Sequence, residues 1–164
     1  MQKLIALGLL IVLAGCASPL AAPHNGSCPA PAAATLLVSQ SLGSAPLVVR
    51  VQLEADAVRF IGIDTLGSLQ FNARLAKQKV ALETQPFYRG LDPETLVSAL
   101  YWWLIRDSLN PSCVSAAGLN LQHTGQGTQL QSSSRTVWQW QPEAPNTIAL
   151  PLKNITLQIR TNSP

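Results

Sequence analysis

Alternation of period two runs through most of the chain beyond residue 36 and fixes the class of fold it can adopt. In residues 47–54, Leu47, Val49, Val51 and Leu53 oppose Val48, Arg50, Gln52 and Glu54. Residues 69–76 set Leu69, Phe71, Ala73 and Leu75 against Gln70, Asn72 and Arg74, and Val80 and Leu82 carry the pattern through 79–85. Near the end, Ile155, Leu157 and Ile159 alternate with Asn154, Thr156, Gln158 and Arg160. Neighbouring side chains on a strand point to opposite faces, so these stripes specify antiparallel strands with one apolar and one wetter face. Leu66-Gly67-Ser68 marks a tight connection between two of them. The expected fold class is α+β, mainly β.

One helix interrupts the strands. Asp92 reads as its N-cap, Pro93 as the first helical residue and Glu94 as a first-turn acid suited to the helix dipole. The body is expected to run from Leu96 to about Arg106, with Asn110-Pro111 closing the region. Leu96, Leu100, Trp103 and Leu104 form one stripe, and Val97, Tyr101, Trp102 and Ile105 make the remainder apolar as well. A helix without a polar face is either buried on several sides or packs a sheet on one side and lines an apolar cavity on the other. Residues 112–134 are small, polar and glycine-bearing, and are expected to form a long loop with one short helical turn. Trp138 and Trp140 then share one side of a strand.

Composition narrows the function. Charged residues make up 12% of the chain and hydrophobic ones 47%, which excludes charged disorder. Twelve prolines and ten glycines argue against a long helical bundle. The formal charge of +3 includes Lys3 of the leader and is too small for a nucleic-acid footprint, so no nucleic-acid partner is expected.

The N-terminus decides localisation. Lys3 precedes an apolar run over residues 4–14, long enough for a secretory signal and short of the ~20 residues that span a bilayer. The run ends in Leu13-Ala14-Gly15-Cys16, which resembles the bacterial lipobox. That resemblance implies a product beginning at Cys16, with a diacylglycerol thioether on sulfur and an acylated, for example palmitoylated, amine. The competing reading is a buried N-terminal helix with an incidental cysteine. Several acyl chains on Cys16 would anchor the protein in membrane lipid without a transmembrane helix. Ala rather than Asp at position 17 resembles the sorting pattern of Gram-negative lipoproteins destined for the outer membrane, where the protein would face the periplasm. The expected organisation is a signal peptide over 1–15, lipidated Cys16 with a flexible tether through 34, and a domain over 35–164. After lipidation Cys28 and Cys113 are the remaining cysteines. Export permits a disulfide between them, and free thiols are equally compatible with the sequence; neither lies in a Cys-x-x-Cys motif.

The order of lipobox, alternating strands, Leu66-Gly67 turn, Asp92-Pro93-Glu94 helix start, tryptophan-bearing helix, Arg135-Thr136-Val137-Trp138 and closing strand 154–159 resembles the LolB-type outer-membrane lipoproteins. It looks particularly like a family of small lipoproteins encoded in bacterial aryl-polyene and lipid biosynthesis gene clusters, over most of residues 36–160. The resemblance implies a LolA/LolB-like fold, a curved antiparallel sheet forming an unclosed half-barrel with capping helices and acyl chains held between. It implies an outer-membrane lipoprotein that binds or accepts a lipidic molecule, either lipoprotein acyl chains or a cluster-specific lipid, with a periplasmic LolA-like carrier as partner. Leu66 is the counterpart of the exposed leucine in the membrane-transfer loop, although the longer protruding loop of that family has no match in this sequence. Candidate cavity residues are Phe60, Phe71, Leu82, Leu100, Trp103 and Trp138.

Enzyme signatures are absent: there is no Gly-x-Ser-x-Gly elbow, phosphate loop or His-Glu-x-x-His motif. His24 and His123 have no neighbouring ligand cluster, so neither a metal nor a cofactor is expected. Asp56 and Asp64 are the one carboxylate pair that a turn could bring together. The alternative function is a structural accessory lipoprotein that scaffolds an envelope assembly without bound lipid; a lipid-modifying enzyme is the least supported reading.

Overall fold

The alternating segments form strands of a single sheet in the computed structural model, which describes Leu20 and residues 27–41, 43–77 and 79–161. The expected signal peptide over 1–15, Cys16 and His24 lie outside the described residues. Five strands come first: β1 (Ala34–Gln40), β2 (Leu47–Leu53), β3 (Val58–Asp64), β4 (Leu69–Ala76) and β5 (Lys79–Thr84). Helix α1 (Pro93–Leu104), a 3₁₀ turn (Arg106–Ser108) and helix α2 (Pro111–Ala116) follow. Strands β6 (Asn120–Thr124), β7 (Gly127–Ser132), β8 (Arg135–Trp140), β9 (Thr147–Leu150) and β10 (Ile155–Thr161) complete the sheet. Its order is β5-β4-β3-β2-β1-β10-β9-β8-β7-β6, and every pairing given for it is antiparallel. Two meanders thus meet at the seam between β1 and β10, while β5 and β6 are free edges and the sheet is unclosed.

One face of the sheet is apolar. Leu36 and Val38 of β1, Val49 and Val51 of β2, Phe60 of β3, Phe71 and Leu75 of β4, Leu157 and Ile159 of β10 and Ile148 of β9 are all buried. Helix α1 lies against this face with ten of its twelve residues buried. It touches β4 and β5 on one wing. On the other wing, Trp138 of β8 donates its indole N–H to the Ala99 carbonyl of α1 at 3.3 Å. One sheet meets both sides of one helix only by bending round it.

Local chemistry explains the helix ends. The Asp92 carboxylate accepts from the Thr95 N–H at 2.9 Å and the Thr95 hydroxyl at 2.8 Å, with Pro93 in the first turn. Helix α1 stops at Leu104, short of the expected Arg106, whose guanidinium instead donates to the Trp103 carbonyl at 2.7 Å and stacks over the Trp103 ring at 4.3 Å. Asn110-Pro111 opens a second helix rather than closing the region: Asn110 accepts from the Cys113 N–H at 2.8 Å as the N-cap of α2.

Four further expectations change. The short helical turn expected within 112–134 is α2, but the remainder is the β6–β7 hairpin rather than a loop; β6 is an edge strand whose side chains are mostly exposed, so it needs no apolar stripe. The alternation of β4 breaks at a register shift opposite Gly62 and Ile63, which turns Gln70 inward and leaves Leu69 exposed. Leu53, expected on the apolar face, is exposed where β2 ends. The flexible tether expected over 16–34 is, in its described part, chain laid on the domain: Leu20 is 2% exposed within the core, Pro31 is buried and Cys28 packs against the core.

Gly62 has a specific reason to be glycine. A Cβ built there would overlap the ring of Phe71, its cross-strand neighbour. Gly62→Ala is therefore expected to destabilise the protein by about 1–3 kcal/mol through overpacking, read as a lower urea midpoint; an unchanged midpoint would show that the Phe71 ring can move aside.

Candidate functional site

The candidate site is the interface between α1 and the inner face of the sheet. Phe60, Phe71, Leu100, Trp103 and Trp138 are all buried in one continuous apolar core. Leu82 is not among them. It faces inward, paired with Ala73, but sits on edge strand β5 and remains 38% exposed. The structure therefore gathers five of the six cavity candidates and leaves Leu82 on the open rim.

Three of the four tryptophans have fixed polar edges. Trp138 donates to Ala99, while Trp103 and Trp140 both donate to the Pro145 carbonyl, at 2.9 and 3.1 Å. With their N–H groups satisfied, these rings offer rigid apolar area to whatever packs on them. Phe71 meets Tyr88 edge to face at a centroid distance of 5.9 Å. The described pockets lie around the β6–β7 turn, on the outer face of β8 and β9, at the β1–β2 connection and along the β1–β10 seam; none of them is lined by the five buried candidates.

Cys28 and Cys113, left open between bridge and free thiols by the sequence, are joined by a disulfide with Cα atoms 4.6 Å apart. The bridge ties the N-terminal segment to α2. One residue further on, the Pro29 carbonyl accepts from the Tyr101 hydroxyl at 3.3 Å. Burial pushes the Tyr101 phenol up to about 12. An unfolded tyrosine ionises near pH 10, so between pH 10 and 12 the unfolded chain releases this proton while the folded one keeps it. The contribution of Tyr101 to stability is complete below pH 10 and is lost as pH rises towards 12. Denaturant midpoints measured from pH 9 to 12 should fall less steeply in Tyr101→Phe than in the native chain; identical slopes would refute this.

Leu66 occupies the tip of the β3–β4 turn and is 89% exposed. The Asp64 carboxylate accepts from the N–H groups of Leu66 and Ser68, at 2.9 and 2.8 Å, and from the Gln70 amide at 2.9 Å. Gly67 takes a left-handed φ of +89° to close the turn. The leucine is thus held outward by a braced turn rather than left on a slack loop. Phe87, which sequence reasoning did not single out, is exposed at the same end of the sheet, where the Gln85 N–H reaches the Gln70 carbonyl at 2.9 Å. No periodic signal marks Phe87, because it lies in the connection between β5 and α1.

The polar candidates do not assemble into a reactive centre. Asp64 serves its turn, and Asp56 pairs with Arg74 at 2.6 Å. Glu54 pairs with Arg59 and Arg74, each at 2.7 Å, and the hydrogen bond from Arg74 holds it below the usual carboxylate range. His123 is exposed on β6, with Nδ1 3.3 Å from the Thr128 hydroxyl. Among the described residues no cluster of three potential ligands could hold a metal ion, and no helix is long and apolar enough to cross a membrane. No family model, curated protein or solved structure matches the chain.

Proposed function

We propose that this protein is a lipid-anchored envelope lipoprotein of the LolB-like half-barrel type, held at the outer membrane through acylated Cys16 and binding the acyl part of a lipidic molecule between α1 and the bent sheet. The observation that carries this reading is α1 itself, a helix apolar on every side and rich in aromatics, embraced by a sheet with two unpaired edges. Each methylene removed from water contributes about 0.8 kcal/mol, so sheltering even part of an acyl chain favours its transfer through an aqueous compartment. The interior accepts the chain by a shift of α1 against the sheet, since its residues already pack on one another. Leu66 and Phe87 give the domain an apolar tip with which to meet a bilayer surface or a carrier of the LolA kind.

The full chain carrying Cys16→Ser, purified from the exported fraction, should yield acyl lipids by mass spectrometry of an organic extract and should bind a fluorescent fatty acid. If it yields no lipid and binds no amphiphile, the lipid reading falls. The same substitution should move the protein from the membrane to the soluble fraction; retention on the membrane would overturn anchoring through Cys16.

The second reading is the envelope scaffold without lipid. It is favoured by the complete burial of Phe60, Phe71, Leu100 and Trp138. Trp103→Ala separates the two: reduced ligand uptake with the fold retained supports the carrier, whereas loss of fold together with a crosslinked protein partner of the native chain supports the scaffold.

A further inference from the structure

The sheet ends at β5, and its pairing with β4 shows which backbone groups are left over. The Gln85 N–H donates to the Gln70 carbonyl at 2.9 Å, and Phe71 faces Thr84 next along the same register. In an antiparallel pair, alternate residues turn their backbone groups toward the neighbour. Glu83, Ala81 and Lys79 therefore bond to β4. Val80, Leu82 and Thr84 direct their N–H and C=O groups the other way, where no strand lies among the described residues. The side chains of these three point to the inner face, opposite the buried Leu75, Ala73 and Phe71. From Ala81 to Thr84 the strand is exposed throughout.

An open edge is a template for further pairing, and proteins block it with a proline, a bulge or a charge pointing inward. β5 has none of these: its register with β4 is regular, and its inward residues are Val80, Leu82 and Thr84. Its charges lie on the outer face, Lys79 near one end and Glu83 near the other. The Asn72 amide donates to the Glu83 carboxylate at 3.3 Å. A lone edge lysine also deters pairing, but here an acid on the same face matches it. A strand with opposite charges near its two ends is complementary to a copy of itself laid antiparallel. The other edge, β6, reads Asn-Leu-Gln-His-Thr and has no carboxylate or ammonium group to match in this way.

We propose that a second copy of this chain pairs along the β5 edge, giving a two-fold dimer. The register centres on Ala81. Val80 and the partner's Leu82 exchange backbone hydrogen bonds in both directions, as do Leu82 and the partner's Val80. On the outer face Lys79 lies opposite the partner's Glu83, and Glu83 opposite the partner's Lys79. On the inner face Leu82, 38% exposed in the single chain, meets the partner's Val80. Moving the centre by one residue sets Lys79 against Ala81 or Gln85 and loses both ion pairs. The two-fold axis runs perpendicular to the sheet, so the apolar faces become continuous and α1 of each copy lies on the same side. Such a dimer neither requires nor excludes bound lipid.

Sedimentation velocity of the full exported chain carrying Cys16→Ser, from micromolar to near-millimolar concentration, should show a concentration-dependent dimer. Lys79→Glu or Glu83→Lys sets like charges against each other at both ends of the interface and should weaken the dimer by about tenfold. An equimolar mixture of these two variants should dimerise as the native chain does, since an acidic strand then faces a basic one. That recovery also shows that both variants are folded. A native chain that stays monomeric at every concentration, a dimer indifferent to either substitution, or a mixture as weak as its components would overturn the proposal.

Discussion

Replacing both Cys28 and Cys113 by serine should lower the unfolding free energy by about 4 kcal/mol, measured by urea denaturation. The bridge links residues 85 positions apart, and closing a loop of that size restricts the unfolded chain enough to reach the upper part of the usual disulfide range of about 2–4 kcal/mol or slightly beyond. Most of this effect acts on the unfolded state. A folded-state share comes from freeing the segment that carries Pro29 and Pro31. For a domain whose net stability is of order 5–15 kcal/mol, such a loss removes a large part of the margin. The double variant, rather than either single one, is the informative protein, because it leaves no lone thiol to form mixed disulfides. A change below about 1 kcal/mol would mean that the bridge contributes little in solution.

Trp138→Ala should have a comparable effect, a loss of about 3–5 kcal/mol. The side chain is fully buried, and its N–H is bonded to the Ala99 carbonyl. Truncation removes the apolar area, leaves a hole between sheet and helix, and takes away the hydrogen bond from β8 to α1. Trp138→Phe keeps most of the area and should cost about 1–2 kcal/mol, mainly through the hydrogen bond. Chemical denaturation of both variants measures the difference. If Trp138→Ala lost less than 1 kcal/mol, the sheet and α1 would have closed up around the missing ring, and the interior would be far more pliable than its complete burial suggests. That outcome bears directly on how an acyl chain could be admitted.

The central strands were legible because their alternation is imposed by one buried face. Leu47, Val49 and Val51, or Ile155, Leu157 and Ile159, have no other arrangement that removes them from water together. The start of α1 was equally legible, since Asp92, Pro93 and Glu94 act through contacts within one turn. The β6–β7 hairpin was not, because at the edge of a sheet only Leu121 and Leu130 are apolar enough to mark it. Leu69 was misplaced because the register shift beside Gly62 is a property of two strands at once. Among the site candidates, Phe60 and Leu82 look alike as apolar strand residues, yet one sits in the middle of the sheet and the other on its rim. Which of them is covered depends on strand order, which period-two alternation does not encode.

The seam between β1 and β10 has a consequence for biosynthesis. β1 is among the first strands to emerge from the ribosome, yet one of its two neighbours is the last to be made. Until β10 arrives, the nascent chain carries two half-sheets, each with an unsatisfied, strongly hydrophobic border that invites intermolecular pairing. Joining them brings together segments far apart along the polypeptide, a slow step by its loop-closure entropy. Premature stop codons ahead of Ile155 should therefore give insoluble material rather than a smaller folded protein, and a holdase chaperone bound to the nascent β1 border would be of most use in that interval.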